Sequence, residues 1–362
     1  MNFSASDYRF MSEALRLADA GLYTADPNPR VGCVLVNKGQ VVGRGGHRVA
    51  GQPHAEVLAL REAGARARGA TAYVTLEPCS HQGRTPPCTL ALIEAGVSEV
   101  VAAMVDPFPK NAGNGLEVLS KAGIRVRSGL LESAARALNP GFVSRYERGR
   151  PRLRLKLATS LDGRSAGPDG RSQWITSKAA REDTQRWRGR ASALLTGIDT
   201  VLADDPRMNL RLAGVERTPM RIVADSHGRL PKNARLLDLP GPVLVATTAA
   251  PAWQRQGVEW WQLPANAEGR VDLFALIEGL AARDINELHV EAGPTLSGAL
   301  LEAGLVDELV VYQAPILLGA GRPMLALPGM EKFSDRLHLK LVDSRRVGPE
   351  WRFVYSTGET QG

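Results

Sequence analysis

The residues whose types and spacing suit chemistry best are His54-Ala55-Glu56 and, after an intervening strand, Pro78-Cys79 and then Cys88. One imidazole and two thiolates are donors that zinc prefers. The thiolates nearly cancel the charge of the ion, and a set of three leaves a fourth position open to water. That makes the site catalytic, because structural zinc is normally closed by a fourth protein ligand. Glu56, two residues past the histidine at a helix start, would take a proton from an activated water and pass it to the substrate. Taken singly, a histidine on a helix is usually an ordinary polar residue and a buried cysteine is usually core. The signal lies in their order, with Cys79 at a strand end and Cys88 opening a helix. Cys33, mid-strand in VGCVLV, reads as structural, and His81 is a lesser candidate ligand.

These side chains require elements to position them. Met11, Ala14, Leu15, Ala18 and Leu22 follow helical spacing behind Ser6 as an N-cap. A hairpin, VGCVLVN and QVVGRG, turns at Lys38-Gly39. A helix over 53–63, the strand TAYVTL, a helix over 90–95, the strand EVVAAMV, a helix over 115–122 and the strand IRVRS follow, and this alternation predicts a three-layer α/β sheet. The second half is also α/β, with strands at LRLKLAT, ALLTG, MRIVADS, PVLVATT, ELHVEAG and ELVVYQAP. Helices are expected near 177–189, 272–282 and 295–303, and LHLKLVDSRRVG with WRFVYS should close one edge as an antiparallel pair. In RLRLKLATS the period of two puts Arg152, Arg154 and Lys156 on one face, normally the solvated one.

With 362 residues the chain is long enough for two or three domains. All three cysteines lie in the first 88 residues and all six tryptophans lie from Trp174 onward, which two separately built domains explain. The joint is expected in the basic stretch Arg145–Pro151. Three cysteines exclude a disulfide framework, no apolar run reaches the roughly 18 residues of a membrane span, and the N-terminal residues do not form a signal peptide, so the cytoplasm is expected. Residues 1–150 carry 18 Lys and Arg against 13 Asp and Glu (+5), and the remainder 27 against 25 (+2), summing to the net +7. Arginines interspersed with acids suggest a solvated surface with local phosphate sites and no nucleic-acid partner. The second half contains no GxGxxG, but LHVEAG-PTLSGAL joins a strand to a helix with glycine and Pro294 at the turn. That is either a phosphate cradle or a plain tight turn.

PNPRVGCVLV (27–36), GQPHAEVLAL (51–60) and TLEPCSHQGRTPPC (75–88) carry the His-x-Glu and Pro-Cys pattern of the zinc deaminases, with eight residues between the cysteines instead of two. They resemble the deaminase domain of the bifunctional riboflavin-biosynthesis deaminase/reductase family, whose own form has this wider spacing. LKLATSLDGR (155–164), SQWIT (172–176), TVLADDP (200–206), VEAGPTLSGALLEAGLVDEL (290–309) and APILLG (314–319) resemble its reductase domain. The resemblance implies a cytidine-deaminase-like domain over 1–147 and a dihydrofolate-reductase-like domain over 151–362. It implies zinc at His54, Cys79 and Cys88, with Glu56 catalytic, and a phosphorylated pyrimidine substrate held near the metal by Asn28, His47 and Arg84. It further implies NADPH at Ala158, Trp174, Thr200, Asp204, Ser226 and the cradle Gly293, Pro294, Thr295, Leu296, Ser297, Gly298 and Ala299. The reductase substrate would be held by Ser172, Arg188, Met208, Arg211 and Glu291, with Lys156 near the reacting ribose, in a dimer or tetramer. Two other readings stay open: a deaminase of nucleosides or nucleic acid with a non-catalytic second domain, and a zinc-stabilised binding scaffold.

Overall fold

In the computed structural model of the chain, which describes residues 2–83 and 86–358, helix α1 (Ala5–Ala18) starts behind Ser4. The Ser4 hydroxyl accepts from the Asp7 amide and the Asp7 carboxylate accepts from the Ser4 amide. This reciprocal box satisfies two amide donors at once and displaces the cap expected at Ser6. Two units follow, Met1–Gly149 and Arg150–Gly362.

The first unit continues with β1 (Gly32–Asn37), β2 (Gln40–Gly46), α2 (Ala55–Ala63), β3 (Thr71–Val74), α3 (Cys88–Glu94), β4 (Glu99–Ala102), α4 (Asn114–Lys121), β5 (Arg125–Ser128), α5 (Glu132–Leu138) and α6 (Pro140–Arg148). The sheet order is β2-β1-β3-β4-β5. The hairpin turns at Lys38 and Gly39, both at positive φ (50° and 77°), as a two-residue loop with right-handed strand twist demands. Strand alternation places α1 and α2 on opposite faces. A Cβ on Gly46 would lie 2.5 Å from the Leu17 carbonyl oxygen of α1, and one on Gly45 1.9 Å from the Ala55 oxygen of α2. The hairpin therefore reads Gly-x-Gly-Gly where helix backbones press on it, and the expected three-layer sandwich results.

Sequence periodicity had not indicated α5 and α6. The basic stretch expected as a linker is largely the last turn of α6, and the chain leaves it at Gly149 with φ 68°, a left-handed helix end.

The second unit contains β6 (Arg152–Thr159), β7 (Arg164–Ala166), α7 (Lys178–Arg190), β8 (Ala193–Gly197), α8 (Ile198–Asp204), β9 (Met220–Ala224), β10 (Val243–Thr247), β11 (Val258–Gln262), α9 (Leu273–Ala281), β12 (Glu287–Val290), α10 (Pro294–Glu302), β13 (Glu308–Gln313), β14 (Arg322–Pro323), β15 (Lys340–Val347) and β16 (Glu350–Ser356). Its main sheet runs β11-β10-β9-β8-β12-β6-β13-β16-β15, parallel except for the antiparallel β13-β16-β15 edge, and β7 pairs with β14 separately. Leu153, Leu155 and Leu157 of β6 pack with Leu276 and Leu280 of α9 and Leu300 of α10.

The opposite face of β6 is not the solvated one. Arg154 is 1 % exposed. Its Nη2 donates to Glu287 (3.0 Å) and its Nε to Glu308 (2.8 Å), and its guanidinium lies 4.7 Å over the Trp187 ring of α7. Period two assigns residues to faces but does not say whether a face is covered, and a central parallel strand is covered on both sides. Among the described residues no helix is long and apolar enough to cross a membrane.

Candidate functional site

His54 is the N-cap of α2, so its ring projects from the helix start while Glu56 sits in the first turn, 3 % exposed. Cys88 opens α3, and Cys79 lies in the loop after β3. His54 Nδ1 stands 3.2 Å from the Cys88 sulfur and 3.6 Å from that of Cys79, and the three donor atoms all fall within 4.8 Å of one another. A tetrahedral zinc with bonds of about 2.0–2.3 Å separates its donors by roughly 3.5–3.8 Å, so the nitrogen and two sulfurs fit that ion. The Cys79 thiol is drawn down to about 4 by the hydrogen bond from Cys88, against the cost of burial and with help from His54. Burial, then the neighbouring Cys79, pushes the Glu56 carboxyl up to about 7.

His47 faces this trio edge-on, its ring 5.3 Å from that of His54. Its Nδ1 lies 3.2 Å from the Pro53 carbonyl, which can only accept, so Nδ1 carries the proton. Burial keeps the ring neutral, and Nε2 therefore accepts from Asn28 Nδ2 at 3.1 Å. The Asn28 carbonyl keeps its acceptor capacity. Arg84 lies outside the described residues.

Sequence reading missed what holds Cys79. The buried Glu77 carboxylate accepts from the amides of Asp106 (3.0 Å), Gly113 (2.9 Å) and Gly115 (2.7 Å), tying the cysteine loop to the start of α4. Asn111, fully buried, accepts from both the amide (3.0 Å) and the hydroxyl (2.9 Å) of Ser80. An acid directly before Pro78-Cys79 was the available signal for Glu77. None marked Asn111.

In the second unit a cavity of about 1310 Å³ is lined by Lys156, Ala158, Ser172, Trp174, Arg188, Thr200, Asp204, Met208, Arg211, Ser226, Glu291, Gly293, Pro294, Thr295, Leu296 and Ala299. Ser297 and Gly298 do not line it: the Ser297 hydroxyl donates to the Ala292 carbonyl (3.2 Å), and a Cβ on Gly298 would meet the Ala326 oxygen at 1.7 Å. A helix turns residues four and five of the segment away from its N-terminal end. The Gly293 amide is held by the Thr200 hydroxyl at 3.1 Å, whereas the amides of Thr295 and Leu296, in the first turn behind Pro294, have no intrahelical acceptor. The Ser172 hydroxyl donates to Asp204 (3.0 Å), and the Ser226 hydroxyl accepts from the Val271 amide (3.0 Å). Trp174 is exposed at the cavity edge, with Arg181 4.2 Å over its ring.

Arg188 has a protein partner. Its Nε and Nη2 donate to the two oxygens of Glu291 (2.5 and 3.0 Å), and its Nη1 donates to the Asn209 carbonyl (2.7 Å). Arg211 is held below its ordinary pKa by burial and by the neighbouring cations Arg188 and Arg207, a crowding of positive charge that an anion would relieve. Arg207 lines the same cavity and had not been singled out. Lys156 also lies in the wall, 5.8 Å over the Tyr312 ring. Among the described residues it makes no hydrogen bond, and burial lowers its pKa.

A three-layer unit with one histidine, two cysteines and a buried glutamate, followed by an α/β unit with a cationic cavity, defines a deaminase joined to a reductase. Residues 4–104 match the cytidine and deoxycytidylate deaminase zinc-binding region, and residues 151–353 match the RibD C-terminal domain. Riboflavin biosynthesis protein RibD of Escherichia coli K12 is 49% identical over 95% of this chain and 97% of its own, and that of Haemophilus influenzae is 45% identical over 98% and 99%. Solved structures agree. Acinetobacter baumannii RibD superposes with a TM-score of 0.90 at 44% identity, covering 97% of this chain and 98% of its own. The diaminohydroxyphosphoribosylaminopyrimidine deaminase/5-amino-6-(5-phosphoribosylamino)uracil reductase of Thermotoga maritima does so with 0.87 at 33% identity and the same coverage. The chain belongs to the RibD family, the bifunctional deaminase/reductases of riboflavin biosynthesis.

Proposed function

We propose that a deaminase domain over 1–147, within the first unit, hydrolyses the 2-amino group of 2,5-diamino-6-(5-phosphoribosylamino)pyrimidin-4(3H)-one. Ammonia leaves and 5-amino-6-(5-phosphoribosylamino)uracil forms. A reductase domain over 151–362, within the second unit, reduces the ribosyl chain with NADPH to give 5-amino-6-(5-phosphoribitylamino)uracil. The observation that carries this reading is the convergence of His54 Nδ1, Cys79 Sγ and Cys88 Sγ beside a fully buried Glu56.

Those three donors would hold zinc, whose Lewis acidity would ease the loss of a proton from water near neutral pH. Glu56 accepts that proton and passes it to the ring nitrogen beside C2, making the amidine carbon electrophilic toward the hydroxide; it then takes the proton of the new C2 hydroxyl and delivers it to the amine, which leaves as ammonia as the C2 carbonyl forms. Its raised pKa suits a group that must both take and give a proton. Asn28 and His47 fix the pyrimidine by hydrogen bonds, and Glu77 and Asn111 hold the Cys79 loop.

In the cavity, Ala158, Trp174, Thr200, Asp204, Ser226 and the turn from Gly293 to Ala299 would hold NADPH, which supplies the hydride when bound. The Thr295 and Leu296 amides receive its pyrophosphate. Ser297 and Gly298 serve by letting α10 pack closely. Arg211, with Arg207, receives the substrate phosphate. Arg188 acts with Glu291, whose carboxylate accepts from the sugar hydroxyls, while Ser172 and Met208 complete the wall. Lys156 gives its proton to the ring oxygen as the C1′–O bond breaks, leaving an open-chain iminium whose C1′ would accept the hydride.

We also propose a homo-oligomer, dimer or tetramer, supported by β15, an edge strand exposed at every position but Val347. Thiol ligands support the reducing cytoplasm as its compartment. Chelation tests the metal assignment: stripping zinc should abolish ammonia release, return on adding zinc, and leave NADPH oxidation intact with the deaminated substrate supplied. Ammonia release from zinc-free protein would refute it.

A further inference from the structure

His289 is completely buried in β12, yet it is polar. The parallel register sets it opposite Arg154 of β6 on one side and Leu194 of β8 on the other. Two residues further along, on the same face, comes Glu291, so the imidazole and the carboxylate share one side of the sheet under α7. His289 Nε2 lies 3.2 Å from Glu291 Oε1. Its Nδ1 is buried and, among the described residues, has no hydrogen-bond partner. An orphaned acceptor in a dry interior costs stability that a leucine of similar volume would not. Packing alone therefore does not account for this imidazole.

The protonation state follows from its neighbours. Burial, with Arg154 from β6 and Arg188 from α7 adding to it, keeps the ring neutral against the pull of Glu291. Glu291 is itself ionised, held there by Arg188, and can only accept. The single proton of His289 therefore resides on Nε2 and points at Oε1. That oxygen then receives two donors, from His289 and from Arg188 Nε at 2.5 Å, whereas Oε2 receives only Arg188 Nη2 at 3.0 Å. Unequal loading fixes which oxygen is spent on the protein and which keeps a lone pair toward the cavity that Glu291 lines. Arg188 alone does not do this, because it gives one donor to each oxygen.

We infer that His289 is a positioning residue for the reduction, holding the Glu291 carboxylate so that Oε2 presents its lone pair to the sugar hydroxyls of the phosphoribosyl substrate. This rests on the reading of Glu291 as a substrate contact. It assigns a specific task to a side chain outside the cavity lining.

The test uses the full-length zinc-loaded enzyme with the variants His289→Leu, His289→Gln and Glu291→Gln. The readouts are KM and kcat for 5-amino-6-(5-phosphoribosylamino)uracil, NADPH affinity by fluorescence titration, ammonia release and melting temperature. His289→Leu should raise KM for the ribosyl substrate about tenfold or more, the worth of one hydrogen bond to a charged group. NADPH affinity, deamination and melting temperature should not fall. His289→Gln, whose carboxamide still donates, should return most of the lost KM. Wild-type KM in His289→Leu, or equal impairment in Leu and Gln, overturns the inference. Glu291→Gln separates the two levels. If it raises KM while His289→Leu does not, only the role of His289 fails; if it leaves KM unchanged, the reading of Glu291 fails and the inference with it.

Discussion

Lys156 shows how much a single side chain can be asked to do. It reaches the cavity wall without a hydrogen-bond partner among the described residues, balanced between Glu291, which favours its charge, and burial with Arg188, which opposes it. A lysine with a lowered pKa is an effective proton donor closer to neutral pH. Its acid form is the active one, so reduction should decline as pH rises through a pKa below the ordinary 10.5. Lys156→Met removes an ammonium at the cavity wall that has no hydrogen-bond partner among the described residues, and should leave folding intact. The turnover of reduction should fall by about 10²-fold or more, the usual yield of general acid catalysis. Undiminished reduction in a folded variant would remove Lys156 from the mechanism. Neighbouring Arg188 illustrates the opposite case: its fork is largely taken by Glu291 and Asn209, and the proposed phosphate contact therefore falls to Arg211 and Arg207.

The candidate zinc ligands depend on elements that press closely on one another. α2 carries both His54 and Glu56 and lies on β2 at a distance only glycine allows, since a Cβ at Gly45 would come within 1.9 Å of the Ala55 oxygen. Gly45→Ala should push the start of α2 outward, costing about 1–3 kcal/mol of stability in the first unit. Zinc content and ammonia release should fall together, while reduction persists; full zinc occupancy and deamination in the variant would contradict this coupling. These elements were also where the sequence was most readable. His54, Glu56, Cys79 and Cys88 stood out because metal chemistry restricts residue type and spacing, and the hairpin because Lys38-Gly39 is a local turn signal. What local pattern cannot carry is what covers a face. Alternation put Arg154 and Lys156 together, but only the tertiary arrangement shows Trp187 of α7 lying over Arg154, with Glu287 and Glu308 supplying its counter-charge, and Lys156 in the cavity wall. The same limit hid Asn111, which reaches Ser80 across a loop, and His289, whose partner is set by its strand neighbour two residues on.

On the scale of the molecule, each unit has its own hydrophobic cluster, one from Phe10 to Phe142 and another from Leu153 to Val311. Part of the net charge of +7 is accounted for by arginines that line the reductase cavity, among them Arg188, Arg207, Arg211, Arg229, Arg235 and Arg270. Two cores and two sets of functional groups predict two separable activities. A fragment ending at Gly149 should release ammonia and oxidise no NADPH; a fragment of this length that folds and binds zinc yet cannot deaminate would count against that separation. The central claim is that one chain divides two chemistries between Glu56 with its metal ligands and the cavity around Lys156 and Glu291. Its most direct measurement is a paired assay of full-length Glu56→Gln, recording ammonia release from the diaminopyrimidine and NADPH oxidation with the deaminated uracil supplied. The account predicts ammonia release reduced by about 10²–10⁴-fold with NADPH oxidation at the wild-type rate. Loss of both activities, or of neither, would contradict it.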